Sequence, residues 1–143
     1  MQTIPLKNDV LTPLTKPKNW ATYDTNSFPE VRVKLSGKIE NWDDFRHFLN
    51  GWRDLYKHQK RFTLHFDTSE VGSVSMKYAF EMRNFIRELK SSYPRLLDSS
   101  YITVESRWVR FLLRFIFFLE KPVAPVIVSN LYNNTVTTTY YNP

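Results

Sequence analysis

From Phe62 to Val128 the chain alternates between two hydrophobic periods, in the order strand, helix, strand, helix, strand. No other feature limits the fold so strongly. Period-2 runs separated by helical runs lead to parallel strands joined by right-handed crossovers. Phe62, Leu64 and Phe66 alternate with Thr63, His65 and Asp67, which predicts a half-buried strand ending at an Asp67-Thr68-Ser69 turn. Ser75 then stands as an N-cap ahead of Met76, Ala79, Phe80, Ile86 and Leu89, the expected inward face of a helix that Pro94 ends. Ser100 to Glu105 is a β-rich run. A helix from Arg107 to Glu120 follows, apolar almost all round, and Val123 to Val128 closes the series. Pro125 cannot donate to a ladder, so this last strand is expected at an edge or with a bulge.

One further strand–helix unit precedes this series. Val31, Val33 and Leu35 alternate with charged and polar residues up to Gly37, and Asn41 can cap a helix with Asp43 and Asp44 in its first turn. Trp42, Phe45, Phe48, Leu49, Trp52, Leu55 and Tyr56 follow at three- and four-residue steps, a continuous apolar stripe. Residues 1–30 carry Pro5, Pro13, Pro17 and Pro29 and keep no period, which predicts an extended N-terminal arm. Residues 130–143 form a Thr/Tyr-rich tail after the turn-prone Asn133-Asn134, suited to a hairpin or to addition onto another protein's sheet. The expected fold is one α/β domain over residues 31–129, a mostly parallel sheet of four to five strands flanked by helices, with extended N- and C-terminal tails.

Two stretches resemble a known superfamily. Phe62-Thr-Leu-His-Phe-Asp67-Thr-Ser-Glu-Val71 is similar to the STAS-domain strand that ends in Asp-x-Ser-x-Val. Tyr93-Pro94 through Ile102-Thr-Val104, followed by Trp108-Val-Arg-Phe-Leu-Leu113, resembles the passage into the late helix of CRAL-TRIO (Sec14-type) lipid-binding domains. The resemblance implies a SpoIIAA-like fold over residues 31–129. It also shows two departures. Ser75-Met76-Lys77-Tyr78 stands where a regulatory STAS protein has its Asp-Ser-Ser-Gly-like segment, so Met76 occupies the phosphoacceptor position. No segment corresponds to the gate helix that closes a CRAL-TRIO cavity.

The chemistry-bearing residues are sparse. The chain of 143 residues has no cysteine, which removes disulfides, thiolate metal sites and cysteine nucleophiles. Its three glycines, Gly37, Gly51 and Gly72, are too few and too scattered for a P-loop or a dinucleotide fingerprint. His65 and Asp67 lie two apart on one strand and share a face, so they can form a His–carboxylate pair, but no third member of a catalytic triad stands near. His47 and His58 have no ligand-type spacing to His65. The expectation is a non-catalytic chain with no cofactor and no metal. The opening residues show no charged segment followed by an apolar one, and no apolar run reaches the ~20 residues of a membrane span. An intracellular protein, soluble or peripheral to a membrane, is expected.

What remains is a set of surfaces. The net charge is +6 and sits mainly in residues 31–61, where eight Lys/Arg face four acids. That excess ends in a cluster of Lys57, Lys60 and Arg61. Such a cluster can meet an anionic surface, although cations at a helix C-terminus also suit the dipole there. Arg107, Arg110 and Arg114 form a single-sign stripe on the last helix, either a grip for acidic groups or simply its solvated face. Asp67, Ser69, Ser73 and Ser75 are candidates for a regulatory loop. Phe111, Phe115 and Phe118 are candidates for an open apolar groove, because that helix has more apolar residues than one sheet face covers. The function expected is that of a protein-interaction or structural subunit of a larger assembly. A lipid or small apolar ligand module and a phosphoregulated STAS-type switch are the alternatives. Protein partners are expected first, an anionic membrane or lipid second, and specific nucleic-acid binding is not expected.

Overall fold

A computed structural model of the chain describes residues 19–143. They form an α/β domain with a six-stranded mixed sheet and three helices. The strands are β1 (Ala21–Asp24), β2 (Glu30–Gly37), β3 (Phe62–Val71), β4 (Leu97–Val104), β5 (Val126–Tyr132) and β6 (Thr135–Tyr141). The helices are α1 (Trp42–Leu55), α2 (Met76–Ser92) and α3 (Arg107–Leu119). Strand order across the sheet equals chain order. β2, β3, β4 and β5 are parallel to one another, while β1 and β6 run antiparallel at the two edges.

Sequential order has a consequence for the faces. Three right-handed crossovers that all step in one direction deliver their helices to one side of the sheet. Burial follows that rule. Val31, Val33, Leu64, Val104 and Val128 are fully buried in one phase of their strands. Arg32, Lys34, Glu30 and Tyr101, in the other phase, are open to solvent. Among the described residues nothing covers the second sheet face, which is polar over β2 and β3, and these parallel strands accordingly alternate in sequence instead of being apolar throughout.

The helices form where their caps and stripes direct. Asn41 accepts a hydrogen bond from the Asp44 amide at 3.1 Å and starts α1, whose Phe45, Phe48, Leu49, Trp52 and Leu55 are buried. Ser75 caps α2 and Ser106 caps α3, each accepting from a backbone amide of the first turn. Trp52 and Phe66 pack 5.5 Å apart between ring centroids, and Trp52 meets Phe85 edge-on at 5.2 Å, so α1, β3 and α2 share one aromatic centre. A smaller cluster of Ala79, Ile86, Leu112 and Ile116 joins α2 to α3.

Several expectations need correction. The sheet has six strands, and it is mixed. The arm expected over residues 1–30 contains β1 at Ala21–Asp24 and the first residue of β2, while residues 1–18 lie outside the described residues. β1 has few apolar residues to reveal it; it is held by the Ser36 amide bonding the Trp20 carbonyl and by Tyr23, whose hydroxyl donates to the Phe48 carbonyl at 2.6 Å. β3 continues beyond Asp67 to Val71, because β2 pairs with it as far as Gly37 opposite Val71. β4 begins at Leu97. Pro125 precedes β5, which is an interior strand between β4 and β6 with no break in register, so the expected edge or bulge is absent there. Phe80, expected inward, is exposed, whereas Tyr78 and Phe85 are buried in α2. Asn133 and Asn134, both at positive φ, turn the chain between β5 and β6, the backbone a two-residue I′ hairpin turn requires.

Candidate interaction surface

On α3 the exposed side is aromatic. Phe118 is 84% exposed, Phe111 44% and Trp108 41%, with Phe115 half-buried between them. Their three-, four- and three-residue spacing puts all four on one stripe of the helix. Trp108 and Phe111 stack at 5.4 Å between centroids, and Phe111 and Phe115 stack at 6.3 Å. From α2, Phe80, itself 40% exposed, meets Phe115 edge-on at 5.5 Å. The Trp108 indole N–H donates to the Val74 carbonyl at 2.8 Å, which fixes the ring at the head of the stripe. Phe111, Phe115 and Phe118, expected to line a groove, instead form a raised ridge. Trp108 and Phe80 belong to it as well; Phe80 was expected on the inward face of its helix and Trp108 was not among the surface candidates, although the spacing of Trp108 to Phe111 on the helix was readable.

The arginine stripe runs beside this ridge, with Arg107 and Arg114 exposed and Arg110 half-buried. Arg107 donates to the Tyr132 hydroxyl at 2.6 Å and lies over that ring at 5.2 Å. Arg114 is near enough to Tyr141 to favour its ionised form, against the burial that raises that hydroxyl above its ordinary value. Arg110 Nε and Nη2 are buried with no hydrogen-bond partner. The stripe thus packs along the β5–β6 hairpin. On the other flank Arg83 lies 5.6 Å from the centre of the Phe80 ring. The ridge is apolar along its crest and cationic along its sides.

The other sequence candidates separate from this surface. Lys57 pairs with Asp54 at 3.0 Å and Arg61 pairs with Asp98, while Lys60 is exposed in the bend that leads into β3. Asp67 and Ser69 are strand residues, and Ser69 donates to Asp67 through both its amide and its hydroxyl. Those two hydrogen bonds hold the Asp67 carboxyl below the usual carboxylate range. Ser75 is engaged as the α2 cap, and Ser73 is exposed in the connecting loop. The suggested His65–Asp67 pair does not form. His65 Nε2 lies 2.6 Å from Glu30 Oε1, which stands diagonally across the β2–β3 ladder, opposite Thr63, and the ring stacks on Tyr101 at 5.2 Å. That histidine sits in a shallow polar depression of about 610 Å³ on the uncovered sheet face, with Asp24, Arg32, Asp67, Tyr101 and Glu105.

Between the sheet and the helices lies an apolar cavity of about 150 Å³, lined among others by Trp52, Phe66, Met82, Val109 and Leu112. The Trp52 indole N–H is buried without an acceptor in hydrogen-bond geometry, though it lies near enough to the Tyr56 hydroxyl to favour the ionised phenol. Burial is the larger effect on Tyr56 and raises it. Among the described residues no group of three or more His, Cys, Asp or Glu could hold a metal ion, and no helix is long and apolar enough to cross a membrane.

Comparison with protein-family models, curated proteins and solved structures gives no match. Function therefore rests on the surfaces themselves.

Proposed function

We propose that this chain is a non-catalytic protein-interaction or structural subunit, built on a divergent SpoIIAA-like domain and docked through the α3 ridge. The observation that carries this reading is the exposed row of Trp108, Phe111, Phe115 and Phe118 with Phe80 beside it. Burying one such ring is worth about 1.5–3 kcal/mol, and clustered aromatic anchors are what dominate binding at protein interfaces. The three-four-three spacing matches the seam that an amphipathic partner helix fills, and Arg83, Arg107 and Arg114 along the flanks favour acidic residues at its borders.

The test begins with the tagged full chain in its source cells. A partner recovered and identified by mass spectrometry is purified and titrated against wild type and Phe118→Ser. The expected result is a loss of about tenfold or more, since the most exposed aromatic anchor of the row is removed. Unchanged affinity would overturn the docking site. Binding to anionic lipid vesicles with no protein partner would replace this reading with a membrane-contact one.

A second reading, a small apolar ligand module, is favoured by the interior cavity. A space of about 150 Å³ walled by apolar side chains is of the size that takes a benzene-like molecule without water. Benzene and indole added to the purified chain should then raise its Tm by mass action. No shift at saturating concentration would rule against this reading. The phosphoswitch has less support, with Ser69 and Ser75 engaged in local hydrogen bonds and Met76 at the acceptor position.

A further inference from the structure

We propose that β6 is a self-association edge, where two copies of this chain pair antiparallel about a two-fold axis at Thr138. An edge strand offers a row of unpaired backbone groups, and proteins ordinarily protect it with charge, proline, a bulge or shortness. β1 at the opposite edge is protected by being four residues long and ending in Asp24. β6 has none of these devices. Thr135-Val-Thr-Thr-Thr-Tyr-Tyr141 carries no charge and no proline, and it keeps seven consecutive pairs with β5 without a bulge. No charged residue occurs anywhere between Lys121 and Pro143. The hairpin itself therefore sets no charge against a second copy, and the nearest cations, Arg107 and Arg114, belong to α3 on the helical side.

The side chains specify the occupant. In an antiparallel two-fold arrangement only one register pairs all seven residues of β6, the one with Thr138 facing Thr138 of the second copy. That register sets Val136 against Tyr140 of the other copy twice, an aromatic pair with a β-branched residue, one of the favourable cross-strand combinations. Val136 is 59% exposed and Tyr140 67%. Both lie on the uncovered sheet face, where Val136 is opposite Leu131 and Tyr140 is opposite Ile127, which in turn is opposite Tyr101. An apolar band thus crosses three strands and reaches the open edge, and a second copy continues it. The ridge on α3 projects from the helical side, so this contact leaves the proposed docking surface free.

Sedimentation of the full chain over a range of concentrations tests this. Wild type should show a concentration-dependent dimer. Thr138→Lys places two ammonium groups at the axis and should weaken the dimer about tenfold or more, with circular dichroism unchanged. Because the chain has no cysteine, Thr138→Cys supplies a second readout that does not depend on the lysine variant folding. Directly opposed antiparallel residues lie roughly 4.5–5.5 Å apart at Cα, within disulfide reach. Mild oxidation should therefore link Thr138→Cys into dimers far faster than the exposed control Lys60→Cys. A monomer at every concentration, with the two cysteine variants oxidising at equal rates, would overturn the proposal. So would a dimer insensitive to Thr138→Lys and abolished by Phe118→Asp, which would assign self-association to the α3 ridge.

Discussion

The ring of Tyr23 lies directly over Gly51, with Cε1 2.3 Å from where a Cβ on that glycine would stand. The same side chain donates from its hydroxyl to the Phe48 carbonyl at 2.6 Å. A glycine in mid-helix costs about 1 kcal/mol relative to alanine. Here it admits the tyrosine that ties β1 to α1. Burial around that hydroxyl, with Asp54 adding to it, raises its pKa well beyond the ordinary tyrosine value.

Gly51→Ala should therefore destabilise the domain by about 1–3 kcal/mol, the range of a steric change in a packed site, despite the better helix propensity. In a Tyr23→Leu background the same substitution should be neutral or stabilising by up to about 1 kcal/mol. Urea unfolding of the four proteins of this cycle gives the coupling. Additive effects would mean that the ring does not dictate the glycine.

Arg110 tests how α3 sits on the hairpin. Two of its guanidinium nitrogens are buried without partners, and a buried unsatisfied polar group costs about 1–3 kcal/mol. Arg110→Met keeps the length of the side chain and removes the orphaned donors. An increase in stability of about 1 kcal/mol is expected by chemical denaturation. A clear loss would mean that the guanidinium is satisfied in solution.

Acid should unfold this domain through particular carboxylates. Arg53 Nε and Nη2 each donate to the Glu88 carboxylate at 2.7 Å, and Arg87 and Lys90 converge on Glu120 at 2.8 and 2.6 Å. These hydrogen bonds hold both glutamates below their ordinary value of 4.5. The unfolded chain then binds more protons in acid, so the stabilisation is complete above that value and is lost as pH falls through the folded pKa values. The urea midpoint should drop between neutral pH and about pH 3. Glu88→Gln should lower stability at neutral pH by about 1 kcal/mol and reduce the size of that drop. An undiminished drop would place the acid sensitivity elsewhere.

The parts of the fold that announced themselves did so through period and caps. Asn41 and Ser75 start helices in the structure, and the alternation of Val31, Val33 and Leu35 with charged residues reflects a sheet with one face left bare by the described residues. β1 was hidden because its few residues are held by Trp20 and Tyr23 from outside any hydrophobic pattern. The surface of α3 was legible only in part. Arg107 and Arg114 are exposed, as on a solvated side, but Trp108, Phe111 and Phe118 are exposed beside them. Which apolar stripe faces the core is decided by partners distant in sequence, and periodicity alone does not carry that information.

Docking of a protein partner on the α3 ridge is tested most directly by site-specific photocrosslinking, with a benzophenone side chain at Phe118 and, as control, at Tyr101 on the opposite sheet face. One dominant protein adduct is expected from position 118, lost when Trp108→Ala is added, and none of that adduct from position 101. The same adducts from both positions, or a position-118 adduct indifferent to Trp108→Ala, would contradict docking there.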